Sequence, residues 1–350
     1  MALLNRKQVV SLLVESTAEG TVVNPGVSGA GFNTFDTTFS PEVEQYERNP
    51  FRSSLGRLAS IAGVKTATVG FTTELVGSGD HTVGGDPLPF HDLMLACGYE
   101  KVGVDALTIS AMSGTNFTAG ETITEDGGGS GVCALSTKEN DTTLYVTAAS
   151  SIGTAGALSG GTSEAASAAA TNVSTDAAVM YKPVSTGTST YTVALFNDGI
   201  RHRVKGCRGN VSFSGSTGQP VRMAFEFTGP FEDTTDETLI TPTYPSLVPP
   251  SMLGAGLSVH GDLLVVDSFE IATGNELAVR RSANDDAGAI STKITMRSMS
   301  GSIDPEVELQ ATHDFIGKLT GNTEGLLDFT IGGTTGNKFR IQGPNCSYAG

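Results

Sequence analysis

Residues 64–76 alternate: Lys65, Ala67, Val69, Phe71, Thr73 and Leu75 fall on one side, Thr66, Thr68, Gly70, Thr72 and Glu74 on the other. A period of two predicts a long strand with one face on a core and one toward water. A second patterned stretch runs from Tyr191 to Phe231. Tyr191, Val193 and Leu195 alternate with small or polar residues, Asn197-Asp198-Gly199 supplies the positive φ angles of a tight hairpin, and residues 200–205 return. After a break at Gly206 to Gly209 comes a second predicted pair. It has Val211 and Phe213 on one face, a turn through Gly215 to Pro220, then Val221, Met223, Phe225 and Phe227 opposed to Arg222, Ala224 and Glu226. The region reads as four consecutive strands built to join a larger sheet.

Elsewhere the pattern is weaker. His91 to Cys97 carries apolar residues at helical spacing, with Gly98 as the stop, and predicts the one internal helix. Residues 1–50 read as an extended arm, with Phe35, Phe39 and Tyr46 spaced to anchor it on a neighbouring surface or on its own domain. From about Lys101 to Val179 the chain turns rich in Gly, Ala, Ser and Thr, which predicts a small inserted β-domain closed by a looser linker at residues 165–179. A Pro-rich connection at residues 242–250 precedes a last β-rich block, with strands expected at residues 257–266, 269–271, 277–281, 290–299, 326–331 and 338–342. The domain expectation is therefore an arm at 1–50, one β-domain from 51–100 and 180–240, an insert at 101–179, and a block at 241–350 that extends the same sandwich.

Composition sharpens this. Forty-four glycines, no tryptophan and only 17% charged residues suit short strands and turns better than long helices. A formal net charge of −16 argues against a protein that grips nucleic acid by neutralising phosphates. No apolar run approaches a membrane span, and Met1 to Lys7 lacks the basic-then-apolar order of a secretory signal, so synthesis and folding in a cytoplasm are expected.

Candidate chemistry is sparse. Cys97, Cys133, Cys207 and Cys346 stand far apart, with no C-x-x-C and no histidine at metal spacing, so neither zinc nor redox chemistry is expected. The five histidines, His81, His91, His202, His260 and His313, are dispersed; only His91-Asp92 and His313-Asp314 would seed a triad, and no nucleophile motif accompanies them. Glu232, Asp233, Asp236 and Glu237 read as a solvated acidic loop. Arg201, His202, Arg203, Lys205 and Arg208 form the only basic concentration, suited to ion pairs within or between subunits. No catalytic residue and no cofactor is expected.

In order, Arg6-Lys7-Gln8-Val9-Val10 with Glu15-Ser16-Thr17 and Gly20, the strand at residues 63–77, and the helix from Phe90 to Cys97-Gly98 are followed by Tyr181-Lys182-Pro183-Val184-Ser185. The Asn197-Asp198-Gly199 hairpin, Gly206-Cys207-Arg208-Gly209-Asn210-Val211-Ser212-Phe213 and Phe225-Glu226-Phe227-Thr228-Gly229-Pro230-Phe231 complete a pattern that resembles the major tail tube proteins of long-tailed bacteriophages. The resemblance covers most of residues 1–240 apart from the insert. It implies a β-sandwich or barrel-like subunit, hexameric rings stacked head to tail, and mobile arms that order on stacking. It also implies partners among other tail proteins: a tip or initiator, a terminator, and a tape measure protein in the bore. DNA would pass through without specific binding. Sharing strands around a ring also removes the aggregation hazard of open edges. In such a ring Thr66, Thr68, Thr72, Glu74, Ser212, Ser214, Arg222 and Glu226 are the lumen-facing candidates, and Phe35, Phe39, Tyr46, Arg201, Arg203 and Lys205 the intersubunit candidates. Another virion part, such as a terminator or decoration protein, or a carbohydrate-binding β-protein, stands as the alternative.

Overall fold

The two-residue period becomes β3 (Ile61–Glu74), in which Ala67, Val69, Phe71 and Thr73 are buried while Thr66, Thr68, Thr72 and Glu74 stay partly open. The computed structural model describes the chain except residues 1–5, 30, 54–55, 81–87, 111, 113–114, 151, 153–155, 164 and 168–171. His81 and the opening residues Met1 to Asn5 therefore lie outside the described residues.

Strands are numbered along the chain. The main sheet has eight: β1 (Gln8–Val14), β2 (Phe35–Tyr46), β3, β11 (Tyr191–Asn197), β12 (Ile200–Ser216), β13 (Arg222–Asp236), β16 (Val266–Ala272) and β19 (Ser300–Pro305). Their order is β1-β11-β12-β13-β3-β2, with β16 on β12 and β19 on β16. At 17 and 15 residues, β12 and β13 are long enough to serve two sub-sheets at once. The first part of β12 pairs with β11, while Ser212 to Ser216 pair with β16. A continuous run β2-β3-β13-β12-β16-β19 results.

Residues 99–183 build a second sheet from β4 (Tyr99–Thr108), β5 (Thr122–Glu125), β6 (Ser130–Cys133), β7 (Thr143–Ser150), β8 (Leu158–Gly160), β9 (Ala166–Ser167) and β10 (Asn172–Pro183). It has its own core of Leu107, Phe117, Ile123, Leu144, Val146 and Leu158. Each such side chain contributes about 1.5–3 kcal/mol on burial, so this sheet carries its own stability. A third sheet holds β14 (Ser258–Val259), β15 (Asp262–Leu263), β20 (Gly325–Ile331) and β21 (Phe339–Cys346); β17 (Asn275–Arg281) and β18 (Ala289–Arg297) form a fourth. The molecule is mainly β, with two short α-helices among the described residues, α1 (His91–Ala96) and α2 (Phe315–Thr320).

Several expectations change. The break at Gly206 to Gly209 is no turn: β12 runs straight through it with register shifts, so the four expected strands are three. Gly206 sits at φ +57°, and a Cβ there would lie 2.5 Å from the Ile290 carbonyl oxygen, so this glycine admits β18 against β12. The looser linker at residues 165–179 contains most of β10, which pairs with β4 on both sides of an irregularity between Ser174 and Ala178. The single strand expected at residues 257–266 is a tight hairpin of β14 and β15 turning at His260 and Gly261, both at positive φ. The segments of the last block that extend the main sheet are β16 and β19, whereas β18 and the β20–β21 hairpin belong to separate sheets. Alpha-2, unforeseen, starts where the Asp314 carboxylate accepts from Gly317 N at 2.8 Å.

The first fifty residues, expected as an arm, contribute β1 and β2 to the main sheet of the isolated subunit. Burial of Val9, Val10 and Leu12 holds β1 against β11. What fixes the connection beyond β1 is Glu15, whose buried carboxylate accepts from Thr190 Oγ1 at 2.6 Å, Gly20 N at 2.7 Å, Thr192 Oγ1 at 2.8 Å and Gly206 N at 2.7 Å. One side chain thus ties the N-terminal segment, β11 and the bulge of β12 together.

Candidate functional site

The register places every lumen-facing candidate on one face. In β13, Met223, Phe225 and Phe227 point to the core, so Arg222, Ala224, Glu226 and Thr228 point away. Pairing sets Glu74 beside Arg222, Thr72 beside Ala224, Gly70 beside Glu226 and Thr68 beside Thr228; the two threonine hydroxyls meet at 3.1 Å. Across the other edge of β13, Ser212 lies beside Ala224 and Ser214 beside Arg222, with Ala272 and Glu270 of β16 next in line. Thr66 ends the row beside Pro230, with Glu42 of β2 as its other neighbour.

This face is small, hydroxyl-rich and acidic. Glu42, Glu74, Glu226 and Glu270 outnumber its cation Arg222, whose guanidinium lies 5.1 Å from the Phe35 ring centre. Gly70, facing Thr38 Oγ1, keeps the centre of the face low. The reverse face is a packed aromatic layer: Phe71, Phe225 and Phe227 lie within 5.8–5.9 Å of one another, and Phe269 meets Phe329 of β20 at 4.6 Å. The run β2-β3-β13-β12-β16-β19 ends in two edges, since β2 pairs only with β3 and β19 only with β16 among the described strands.

One intersubunit candidate, Phe35, shares this polar face as the register partner of Thr72, and the others fall elsewhere. Phe35 lies under Arg222, while Phe39, on the core side of β2, stacks on His202 at 4.3 Å and meets Phe231 at 6.0 Å. Tyr46, 54% exposed, ends β2 and donates to Glu44. The basic stretch and the acidic cluster, read separately in the sequence, meet across β12 and β13. Arg203 grips Asp233 through Nη2 at 2.6 Å and Nε at 3.2 Å, Arg201 pairs with Glu237 and Asp233, and Lys205 reaches Glu232 at 3.2 Å and Asp285 at 2.9 Å. The expected solvated acidic loop is thus corrected to the end of β13, where Glu232, Asp233 and the following Glu237 are paired. Arg208 is a buried strut, donating to the Thr188 and Thr292 carbonyls and to Glu19.

Both histidine–aspartate pairs do structural work. His91 Nδ1 meets the Tyr181 hydroxyl at 2.8 Å from the first turn of α1, and burial raises the neighbouring Asp92 carboxyl. His313 is enclosed, with Asp262 at 2.7 Å on Nδ1 and Tyr348 at 2.9 Å on Nε2, while Asp314 caps α2. Burial pushes the Cys133 thiol up to about 12 and raises Cys97 and Cys207 as well, which suppresses their thiolates. Among the described residues no group of His, Cys, Asp and Glu has the arrangement of a metal site.

The second sheet is clamped to the third. Asp328, 1% exposed, accepts from Lys138 at 2.8 Å and from Arg340 Nε at 2.6 Å; Arg340 also reaches Asp141 at 3.5 Å, and Gln342 bonds both ways with the Ser136 backbone. Burial alone would raise the Asp328 carboxyl, but Arg340 and Lys138 outweigh it and hold it below the usual carboxylate range. Glu121, inside the second sheet, is likewise lowered: burial opposes, and the backbone N–H groups of Ser163, Thr118 and Thr162 prevail. A depressed folded pKa contributes stability that is complete above the unfolded value and disappears as pH falls through the folded one. Thermal melts should therefore hold steady down to about pH 5 and weaken below the usual carboxylate range near pH 4, residues 99–183 loosening first. Protease sensitivity of that segment, followed from pH 7 to pH 3, checks this.

The site is thus a broad polar sheet face flanked by β2 and β19, each paired on one side only among the described strands. A family model for phage tail tube proteins matches residues 5–350, and the chain belongs to that family. It is a structural component of the phage tail, a virion protein of a family that self-assembles into a tube with other tail proteins. A comparison with curated proteins finds no match.

Proposed function

We propose that the chain forms rings, six subunits to a ring, that stack head to tail into a tube whose bore is lined by the polar face of β2, β3, β13, β12, β16 and β19. The observation that carries the reading is that Thr66, Thr68, Thr72, Glu74, Ser212, Ser214, Arg222 and Glu226 share one uninterrupted face backed by an aromatic core. Lateral pairing of the β2 edge of one subunit with the β19 edge of the next extends that face around the ring and leaves no edge open. A wall of hydroxyls and carboxylates repels phosphate and offers DNA no cluster of cations to stick to, so DNA slides during ejection. The protein acts as a conduit and not as an enzyme, with a tape measure protein in the bore during assembly and tip and terminator proteins at the two ends.

The layer order supports a location for the second sheet. The aromatic side of the main sheet packs on β20, and Asp328 of β20 and Gln342 of β21 in turn hold Lys138 and Ser136. Residues 99–183 thus sit across the core from the polar face, on the outside of the tube. Negative-stain microscopy of the purified protein tests the reading: hollow filaments or stacked rings are expected, and a monodisperse monomer at every concentration and with added tail tip would overturn it.

A further inference from the structure

The two ends of the main sheet carry opposite chemistry. Where β2 turns into β3, Phe51 is wholly exposed, Tyr46 and Ile61 are each 54% exposed, and Arg48, Arg52 and Arg57 stand open around them. The one acid of that connection, Glu47, lies 3.6 Å from Arg57; Arg48 and Arg52 have no ion pair among the described residues. In a chain of net charge −16 this is a cationic, aromatic tip.

The other end is its complement. Register runs from Ile61 at the tip to Glu74, across to Arg222 and Ser214, then through Ser216 and Ser268 to Val266 and Pro305. The chain leaves β19 there as Asp304-Pro305-Glu306-Val307-Glu308-Leu309, with Val307 97% and Leu309 76% exposed and Val265 held alongside by the bond from Glu306 N. Asp304, Glu306 and Glu308 have no ion pair among the described residues, and Lys318 of the nearby helix α2 is engaged by Asp262 at 3.2 Å. The 14 residues of β3 alone separate the two ends by about 45 Å at roughly 3.3 Å per residue, so they cannot meet within one subunit.

We propose that residues 304–309 of one subunit receive the Phe51 tip of a subunit in the adjoining ring, the arginines facing the acids and Phe51 resting on Val307 and Leu309. The inference rests on the stacked-ring reading and adds which surfaces make the stack and why it has a direction. Tip against tip sets arginines against arginines, and acidic end against acidic end sets carboxylates together. Only the heterologous pairing brings unlike charges and two exposed apolar groups into contact, and such a contact does not close on itself. Filament polarity is thus written in the charges of the two ends.

The test is a charge swap in the full chain. Arg48→Glu with Arg52→Glu reverses the tip, and Glu306→Arg with Glu308→Arg reverses the far end. Each pair alone is expected to cut polymer mass roughly tenfold or more at fixed protein concentration, and all four together to restore it. All four positions lie outside the cores, so a thermal melt unchanged from wild type verifies the fold of each variant. Filaments of wild-type yield from either reversed protein, or failure of the combined variant to recover, overturns the inference while leaving the tube intact. Absence of any polymer from the wild-type chain overturns the tube reading instead, and the inference falls with it.

Discussion

Replacing Glu15 by alanine is expected to lower the unfolding free energy by about 4–6 kcal/mol, on the order of half the stability of an ordinary domain. The carboxylate is the acceptor for two hydroxyls and two backbone N–H groups, from Thr190, Thr192, Gly20 and Gly206. Alanine leaves these donors without their acceptor in a site where Thr190 and Thr192 are 1% and 0% exposed. Each such loss costs about 1–3 kcal/mol. Glu15→Gln retains one carbonyl oxygen but turns an amide N–H₂ toward donors, and a loss of about 2–4 kcal/mol is expected. Chemical denaturation curves check both, with the midpoint falling and the slope unchanged. A midpoint within error of wild type for the alanine variant would remove Glu15 as the tie between β1, β11 and the β12 bulge.

The second large effect is at the joint between the second and third sheets. Asp328→Ala removes a buried carboxylate from between Lys138 and Arg340, and breaking one side of a buried ion pair costs about 3–5 kcal/mol. The lower end of that range applies, because Arg340 keeps Asp141 and the Lys138 side chain, 39% exposed, can turn to water. The second sheet has its own core, so the loss should appear as a loosened segment within a folded subunit. Limited proteolysis is expected to release residues 99–183 as a protected fragment from the variant well before the wild type is cut. Simultaneous loss of both parts would show instead that the two sheets fold as one unit.

Where the sequence pattern was periodic, the fold was legible. The alternation through β3 and β13 predicted which side chains share a face, because a period of two leaves no choice once one face is buried. The hairpin at Asn197-Asp198-Gly199 and the stop of α1 at Gly98, with φ +80°, followed from residues that tolerate left-handed backbone. Glycine also misled. Gly206 and Gly209 read as a turn, yet each is small because another element crosses it, the β18 backbone at Gly206 and the Phe227 ring at Gly209. No single-strand pattern distinguishes the two uses. The pairing of Arg201, Arg203 and Lys205 with Glu232, Asp233 and Glu237 was hidden for a similar reason: each cluster was visible, but the register that brings them together is long-range. Glu15 belonged to the Glu15-Ser16-Thr17 motif behind the family resemblance, but its role depends on donors more than 170 residues away.

The most direct test of the central claim is a helical reconstruction by cryo-electron microscopy of filaments grown from the purified chain. β3, β12 and β13 are expected at the inner radius with Thr68, Thr72, Ser212 and Glu226 facing the bore, and residues 99–183 at the outer radius. A tube with residues 99–183 inside, or with the polar face of these strands turned outward or buried between rings, would contradict it.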